Sequence, residues 1–156
     1  MADITNLSDQ SSSALNALNN AFAQETSFLE AADWGRLTGM ARFAFATPDA
    51  FIIAFDQDAD YDSPNFLWFR DRYERFVYID RVVVAASAHG QGLGRALYEK
   101  LFEAAKAAGY PCLMAEVNVN PPNPGSLAFH DKMGFEAVGE IEFSPEKAVR
   151  YFARTL

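Results

Sequence analysis

Residues 82–100 read VVVAASAHGQGLGRALYEK, and the fold turns on what that stretch is for. A β-branched run ends, Gly90, Gly92 and Gly94 follow in close succession, and a helical pattern starts at once. Glycine is costly in ordered backbone, so this density marks a place where something must approach bare main chain. The N–H groups that open a helix lack internal partners and carry the positive end of its dipole. Stripped of side chains, they form a seat for a phosphate group. A P-loop would need lysine and then serine or threonine after the last glycine, but Arg95 and Ala96 stand there. A dinucleotide fingerprint would need its third glycine where Arg95 falls. Glu116 sits where a ribose-binding acid would, yet the chain beyond it is too short for a doubly wound sheet. A tight strand-to-helix turn without a ligand stays open at this level.

Beyond the loop, Leu93, Leu97, Leu101, Ala104 and Ala108 recur at helical spacing, and Gly109 with Pro111 stops the helix. FVYIDRVVVA (76–85) before the loop and CLMAEVNV (112–119) after the helix read as strands. NPPNP breaks the chain, and GSLAFHDKM (125–133) reads as a short helix capped by Asn123, opened by Pro124 and closed by Gly134. FEAVGEIEF and KAVRYFART follow as two strands around SPEK. Toward the N-terminus come a short strand (DITNL) and a helix carrying Leu15, Leu18 and Phe22 behind several serines. A weaker helix over EAADWGRLTGMA and a hairpin of RFAFAT with AFIIAFD across Pro48 and Asp49 complete the pattern. Residues 57–75 are polar, acidic and rich in aromatics, and read as a long loop. The whole, 1–156, reads as a single α/β (α+β) domain.

The 156 residues are half hydrophobic and carry a formal charge of −8, the profile of a folded domain. That charge argues against nucleic acid and anionic membrane as partners and suits a cationic substrate or plain solubility. The longest apolar run is broken by Pro48 and Asp49, so no membrane span is expected. The single cysteine, Cys112, excludes an internal disulfide, and with no secretory start the expectation is a cytoplasmic monomer or homodimer. His89 and His130 are the only histidines, so no metal site is expected.

HGQGLGRAL after a strand ending in VVV resembles the pyrophosphate loop of the GNAT acetyltransferase superfamily. Gly92 and Gly94 match its pattern, while His89 stands where the family carries arginine or glutamine. NVNPPNPGSLAFHDKMGF resembles the family's second signature, a strand asparagine followed by a helix ending in GF. Together the two signatures span roughly residues 76 to 135. The resemblance implies a mixed, mostly antiparallel sheet of roughly six or seven strands with about four helices. It also implies that the sheet splays between its fourth and fifth strands to admit acetyl-CoA as co-substrate. The pyrophosphate would then lie on the loop of His89, Gly90, Gln91, Gly92, Leu93, Gly94 and Arg95. The pantetheine arm would run along Val82, Val83 and Val84. Asn118 would contact that arm, with Asn123 and Ser126 beside it.

Moving an acetyl group from a thioester to an amine requires the amine to lose a proton, the carbonyl oxygen to be stabilised and a thiolate to leave. Glu116 and Asn118 share a strand face, and Glu116 reads as proton acceptor or as an ordinary ion-pair partner. Asp80 is a second candidate acid, or half of a surface pair with Arg81. His130 stands where most relatives carry a tyrosine that protonates the thiolate, and reads as acid, base or packing. Tyr78 could supply a hydroxyl instead. Cys112 reads as an inert, buried thiol. The aromatic and acidic residues of 57–75 (Asp58, Asp60, Tyr61, Asp62, Phe66 and Trp68) could clasp an ammonium or form a lid or an interface. The function expected is direct acetyl transfer to a primary amine of a small molecule, peptide or protein. A non-catalytic acyl-CoA sensor of the same fold is the alternative, kept open by His89 and His130.

Overall fold

The computed structural model describes residues 3–156. In chain order they form β1 (Thr5–Asn6), α1 (Ser12–Ala21), α2 (Ala31–Met40), β2 (Phe43–Thr47), β3 (Ala50–Asp56) and α3 (Pro64–Arg70). Then come β4 (Val77–Val84), α4 (Leu93–Ala107), β5 (Cys112–Asn120), α5 (Pro124–Lys132), β6 (Glu136–Ser144) and β7 (Lys147–Thr155). The strands make one seven-stranded sheet in the order β1-β2-β3-β4-β5-β7-β6. The β4 and β5 strands run parallel, and the remaining neighbours in this sheet are antiparallel.

Each face of the sheet buries its own core. Leu15 of α1, Trp34 and Leu37 of α2, and Phe66 and Phe69 of α3 cover one face. Leu93, Leu97, Tyr98, Leu101 and Ala105 of α4, with Leu127 and Phe129 of α5, cover the other. Helix starts follow the sequence closely. The Ser11 hydroxyl accepts from the Ala14 N–H (3.3 Å) at α1, and Asn123 Oδ1 accepts from the Ser126 N–H (3.2 Å) at α5.

Residues 57–75 depart from the loop reading, because α3 lies within them. Pro64 opens that helix, and Phe66 and Phe69, three apart, both turn fully inward. Seven residues give too little periodicity to stand out between flanking charges. The expected aromatic clasp is also revised. Phe66 belongs to the core, and Trp68 stacks on Tyr151 with ring centroids 4.2 Å apart.

Two features of β4 build the site. Its register with β3 jumps from Ile53–Arg81 to Ala54–Ile79, so Asp80 is the extra residue of a bulge. The bulge reverses the alternation of side chains. Tyr78 and Val83 both face α1–α3, and the adjacent Asp80 and Arg81 come to the same face. They form an ion pair of 2.7 Å, with side chains only 4% and 7% exposed. The surface pair that the sequence allowed is therefore a buried one. The second feature is that β4 and β5 pair only at Val77–Leu113 and Tyr78–Met114, after which they separate. The β4 edge toward β5 is open from Ile79 to Val84.

Candidate active site

The separation of β4 and β5 leaves a cavity of about 450 Å³. Tyr78, Asp80 and Arg81 line it from β4, Glu116 and Asn118 from β5, and Asn65 from α3. Tyr98 of α4 and Asn123, Ser126 and His130 of the α5 region close it on the other side. The four chemical candidates expected from the sequence, His130, Glu116, Tyr78 and Asp80, are thus brought together.

Glu116 is the centre of one wall. Its Oε1 accepts from the Tyr78 hydroxyl (2.8 Å) and from Asn65 Nδ2 (3.1 Å). Its Oε2 is shielded from solvent and has no partner among the described residues. Burial pushes the carboxyl pKa up to about 8, helped by the nearby charge of Asp80 and opposed by the bonds from Tyr78 and Asn65. Tyr78 keeps its proton, since burial and the Glu116 charge hold its pKa well above the usual phenol value. Its hydroxyl is committed to Glu116. Asp80 accepts from the Tyr61 hydroxyl (2.7 Å), and Arg81 Nη1 donates to Asn19 Oδ1 (3.0 Å).

His130 is buried on the opposite wall. Its Nδ1 lies 2.8 Å from the Ser126 carbonyl oxygen, which can only accept, so Nδ1 carries the hydrogen. Nε2 then presents a lone pair and accepts from the Tyr98 hydroxyl at 2.9 Å. Burial lowers the imidazole pKa. The neutral ring has no proton to deliver into the cavity. The hydroxyl that faces it there belongs to Tyr98, whose pKa burial holds far above the phenol value. The sequence pattern hides Tyr98, because a tyrosine between Leu97 and Leu101 looks like one more core residue. Asn65 is hidden for a different reason, since no motif marks it inside an apparent loop.

The glycine loop lies at the α4 end of the gap. Gly90 and Gly92 have φ of +82° and +75°, in the left-handed region that favours glycine, and Gly92 caps α4. The first main-chain bond of the helix is Ala96 N–H to Gly92 O (3.0 Å). The N–H groups of residues 90–95 have no partner among the described residues. Gln91 and Arg95 are exposed, Arg95 pairing with Glu99 at 2.8 Å, whereas Leu93 is buried. His89 turns back, its Nε2–H donating to the Val84 carbonyl (2.9 Å). Val82 lines the cavity, Val83 is buried beneath the α1–α3 layer, and Val84 packs toward α4. Cys112 lies outside the cavity, half-buried, with its thiol pKa raised by burial.

Comparison with known proteins puts this geometry in context. Residues 5–135 match the sequence model of the acetyltransferase (GNAT) family. No curated protein matched the sequence. Among solved structures, the chain resembles a ribosomal-protein-alanine N-acetyltransferase from Brucella melitensis, with a TM-score of 0.71, 20% identity and 99% of each chain covered. An N-acetyltransferase from Staphylococcus aureus is similar at TM-score 0.72 and 18% identity, covering 99% of this chain and 98% of that one. So is a chain of the NatC complex bound to Gag peptide and CoA, at TM-score 0.74 and 14% identity, covering 99% and 98%. Among the described residues, no helix is long and apolar enough to cross a membrane.

Proposed function

The chain belongs to the GNAT acetyltransferase family, and on that premise we propose that it transfers an acetyl group from acetyl-CoA directly to a primary amine, with Glu116 as proton acceptor. The observation that carries the reading is Glu116 itself, a carboxyl on the cavity wall with two donors on one oxygen and none on the other, which is buried.

The residues present suit the co-substrate. The unpartnered N–H groups of residues 90–95 offer a seat for its phosphates, and the open β4 edge from Ile79 to Val84 offers main-chain bonds to its arm. Acetyl-CoA supplies the activated acetyl thioester. Glu116 receives the proton that the amine sheds. An ordinary glutamate and a lysine-type ammonium differ by about six pKa units, a barrier of roughly 8 kcal/mol to direct proton transfer. With Glu116 raised to about 8, the gap shrinks to about two units, within reach of rapid catalysis. Tyr98 keeps its hydroxyl proton, which rests on Nε2 of neutral His130, and it serves as a donor on the opposite wall by turning that one hydrogen from the ring toward the departing sulfur. The acceptor is an amine with a cationic resting form, drawn in by the acidic balance of the chain and by Glu25, which lines the cavity. Direct transfer is favoured because Cys112 lies outside the cavity.

Calorimetric titration with CoA, paired with thioester release across a panel of amines, tests the reading. CoA should bind, and at least one primary amine should be turned over. Gly92→Val should abolish CoA binding in a folded protein, because the side chain is strained at φ +75° and blocks the approach of an anion. Binding without turnover of any amine would instead support the acyl-CoA sensor.

A further inference from the structure

The Glu116 carboxyl is held asymmetrically, and the asymmetry originates in the short helix α3. Phe66 and Phe69 anchor α3 to the sheet, and Trp68 stacks on Tyr151 of β7. Between these anchors the Tyr151 hydroxyl donates to Asn65 Oδ1 at 2.8 Å. The ionised Glu116 carboxylate can only accept, so the Asn65 NH₂ turns toward it and Oδ1 turns toward Tyr151, whose hydroxyl donates. The NH₂ then donates to Glu116 Oε1, the same oxygen that Tyr78 already holds. We propose that Asn65, held by Tyr151, is a positioning residue that keeps Oε1 of Glu116 occupied and so confines proton exchange to Oε2, the oxygen without a donor.

The chemistry follows from the donor count. In the ionised form Oε1 has two donors, and Oε2 is the remaining acceptor. In the neutral form the proton resides on Oε2, since a proton on Oε1 would oppose two donors already aimed there. Either way the exchangeable proton is assigned to one oxygen, Oε2. Without the Tyr151 hydroxyl, Asn65 Oδ1 loses its donor, and the amide can turn that oxygen to accept a proton from Glu116, which favours the neutral acid.

This inference rests on the role proposed for Glu116. The titratable and charged groups around that carboxyl are Tyr78 and Asp80 from β4, with Arg81 paired to Asp80, Tyr98 from α4, His130 from α5, Tyr151 and Lys147 from β7, and Glu25 and Tyr61 from the segments before and after the β2–β3 hairpin. Asp80 raises the Glu116 pKa, and Asn65 lowers it by stabilising the charged form. Substitution of Asn65 leaves the charged groups in place, so its effect on titration can be read separately.

The experiment compares Asn65→Leu and Tyr151→Phe with the parent protein in two measurements. The first is titration of the Glu116 side-chain carboxyl by carbon-13 NMR in the protein without substrates. The second is kcat/KM for a turned-over amine against pH. In both variants the Glu116 pKa should rise by about one unit, the loss expected for one hydrogen bond to the charged form. The acid limb of kcat/KM should move up with it, lowering the rate at pH 7 about tenfold and recovering at higher pH. CoA affinity should stay at the parental value. Unchanged titration and an unchanged profile in folded, CoA-binding variants would overturn the proposal. Should Asn65→Leu fail to fold, Tyr151→Phe removes only one hydroxyl and tests the same lock from its other end. Full activity in Glu116→Gln would overturn the catalytic role of Glu116, while the NMR titration would still report whether Asn65 positions its carboxyl.

Discussion

On the α1–α3 side of the gap, Glu116 gathers two donors on one oxygen and leaves the other bare. On the α4–α5 side, both ring nitrogens of His130 are engaged, one by a carbonyl and one by the Tyr98 hydroxyl. Both walls are buried, so both disfavour charge, but burial has opposite consequences for the two groups. For the carboxyl it raises the pKa to about 8, into the range where proton exchange is useful. For the imidazole it lowers the pKa and removes the cationic form. One physical effect thus gives one wall a carboxyl that titrates near neutrality and the other a neutral tyrosine–histidine pair.

The largest effect should come from removing the titrating wall. Glu116→Gln should lower kcat by about 10²- to 10⁴-fold while CoA affinity holds, the range of general acid–base contributions. The acid limb of kcat/KM near pH 8 should disappear with it. Stability offers a second reading that needs no substrate. Between the ordinary carboxyl value of 4.5 and about 8, the folded protein keeps the Glu116 proton while the unfolded chain has lost it. Stability from this group is therefore full below pH 4.5 and falls as pH rises from there to about 8. Thermal melts from about pH 5 to about pH 9 should show that decline in the parent protein and not in Glu116→Gln. Parallel melting curves would place the carboxyl's titration elsewhere.

On the opposite wall the expected effects are smaller and lack a titration of their own. Tyr98→Phe should reduce kcat about ten- to a hundredfold, the scale of one directed hydrogen bond in a transition state. His130→Phe should cost less, about threefold to tenfold, because the hydroxyl persists and loses only its orienting partner. Neither variant should move a pH limb. If the His130 variant loses more activity than Tyr98→Phe, or if a limb near the ordinary imidazole value vanishes with it, the imidazole exchanges protons after all.

The smallest expected effect tests how firmly the first wall is braced. A Cβ at Gly139 of β6 would overlap the Trp68 indole that stacks on Tyr151. Gly139→Ala should cost about 1 kcal/mol in denaturant unfolding, the low end of overpacking, because the atoms it meets are the outer edge of a half-buried ring. A small upward drift of the Glu116 limb should accompany it, since Tyr151 holds Asn65. A limb that stays put would show that the Tyr151–Asn65 bond survives displacement of its neighbour.

Much of this was legible along the chain. The glycine loop, the amphipathic pattern from Leu93 to Ala108, the Asn123–Pro124 helix start and the shared face of Glu116 and Asn118 are local patterns, and the structure shows them as elements and contacts. What escaped was non-local or too short. The helix α3 hides because its seven residues carry only Phe66 and Phe69 as an inward pair. Asp80 read as a candidate acid or as half of a surface pair with Arg81, because nothing in the sequence marks the bulge that brings both side chains to one buried face.

The order of the elements other than α3, the glycine loop before α4 and the residue types available for proton chemistry are properties of the chain alone. They depend on periodicity, capping and glycine placement, all of which act over a few residues. Which of those residues titrate is a property of the assembled fold. Glu116 lies 51 positions from Asn65 and 38 from Tyr78, and His130 lies 32 from Tyr98. Only when the sheet parts between β4 and β5 do these partners meet away from water. A side chain's pKa and the direction of its hydrogen bonds belong to that shared environment, not to its place in the chain.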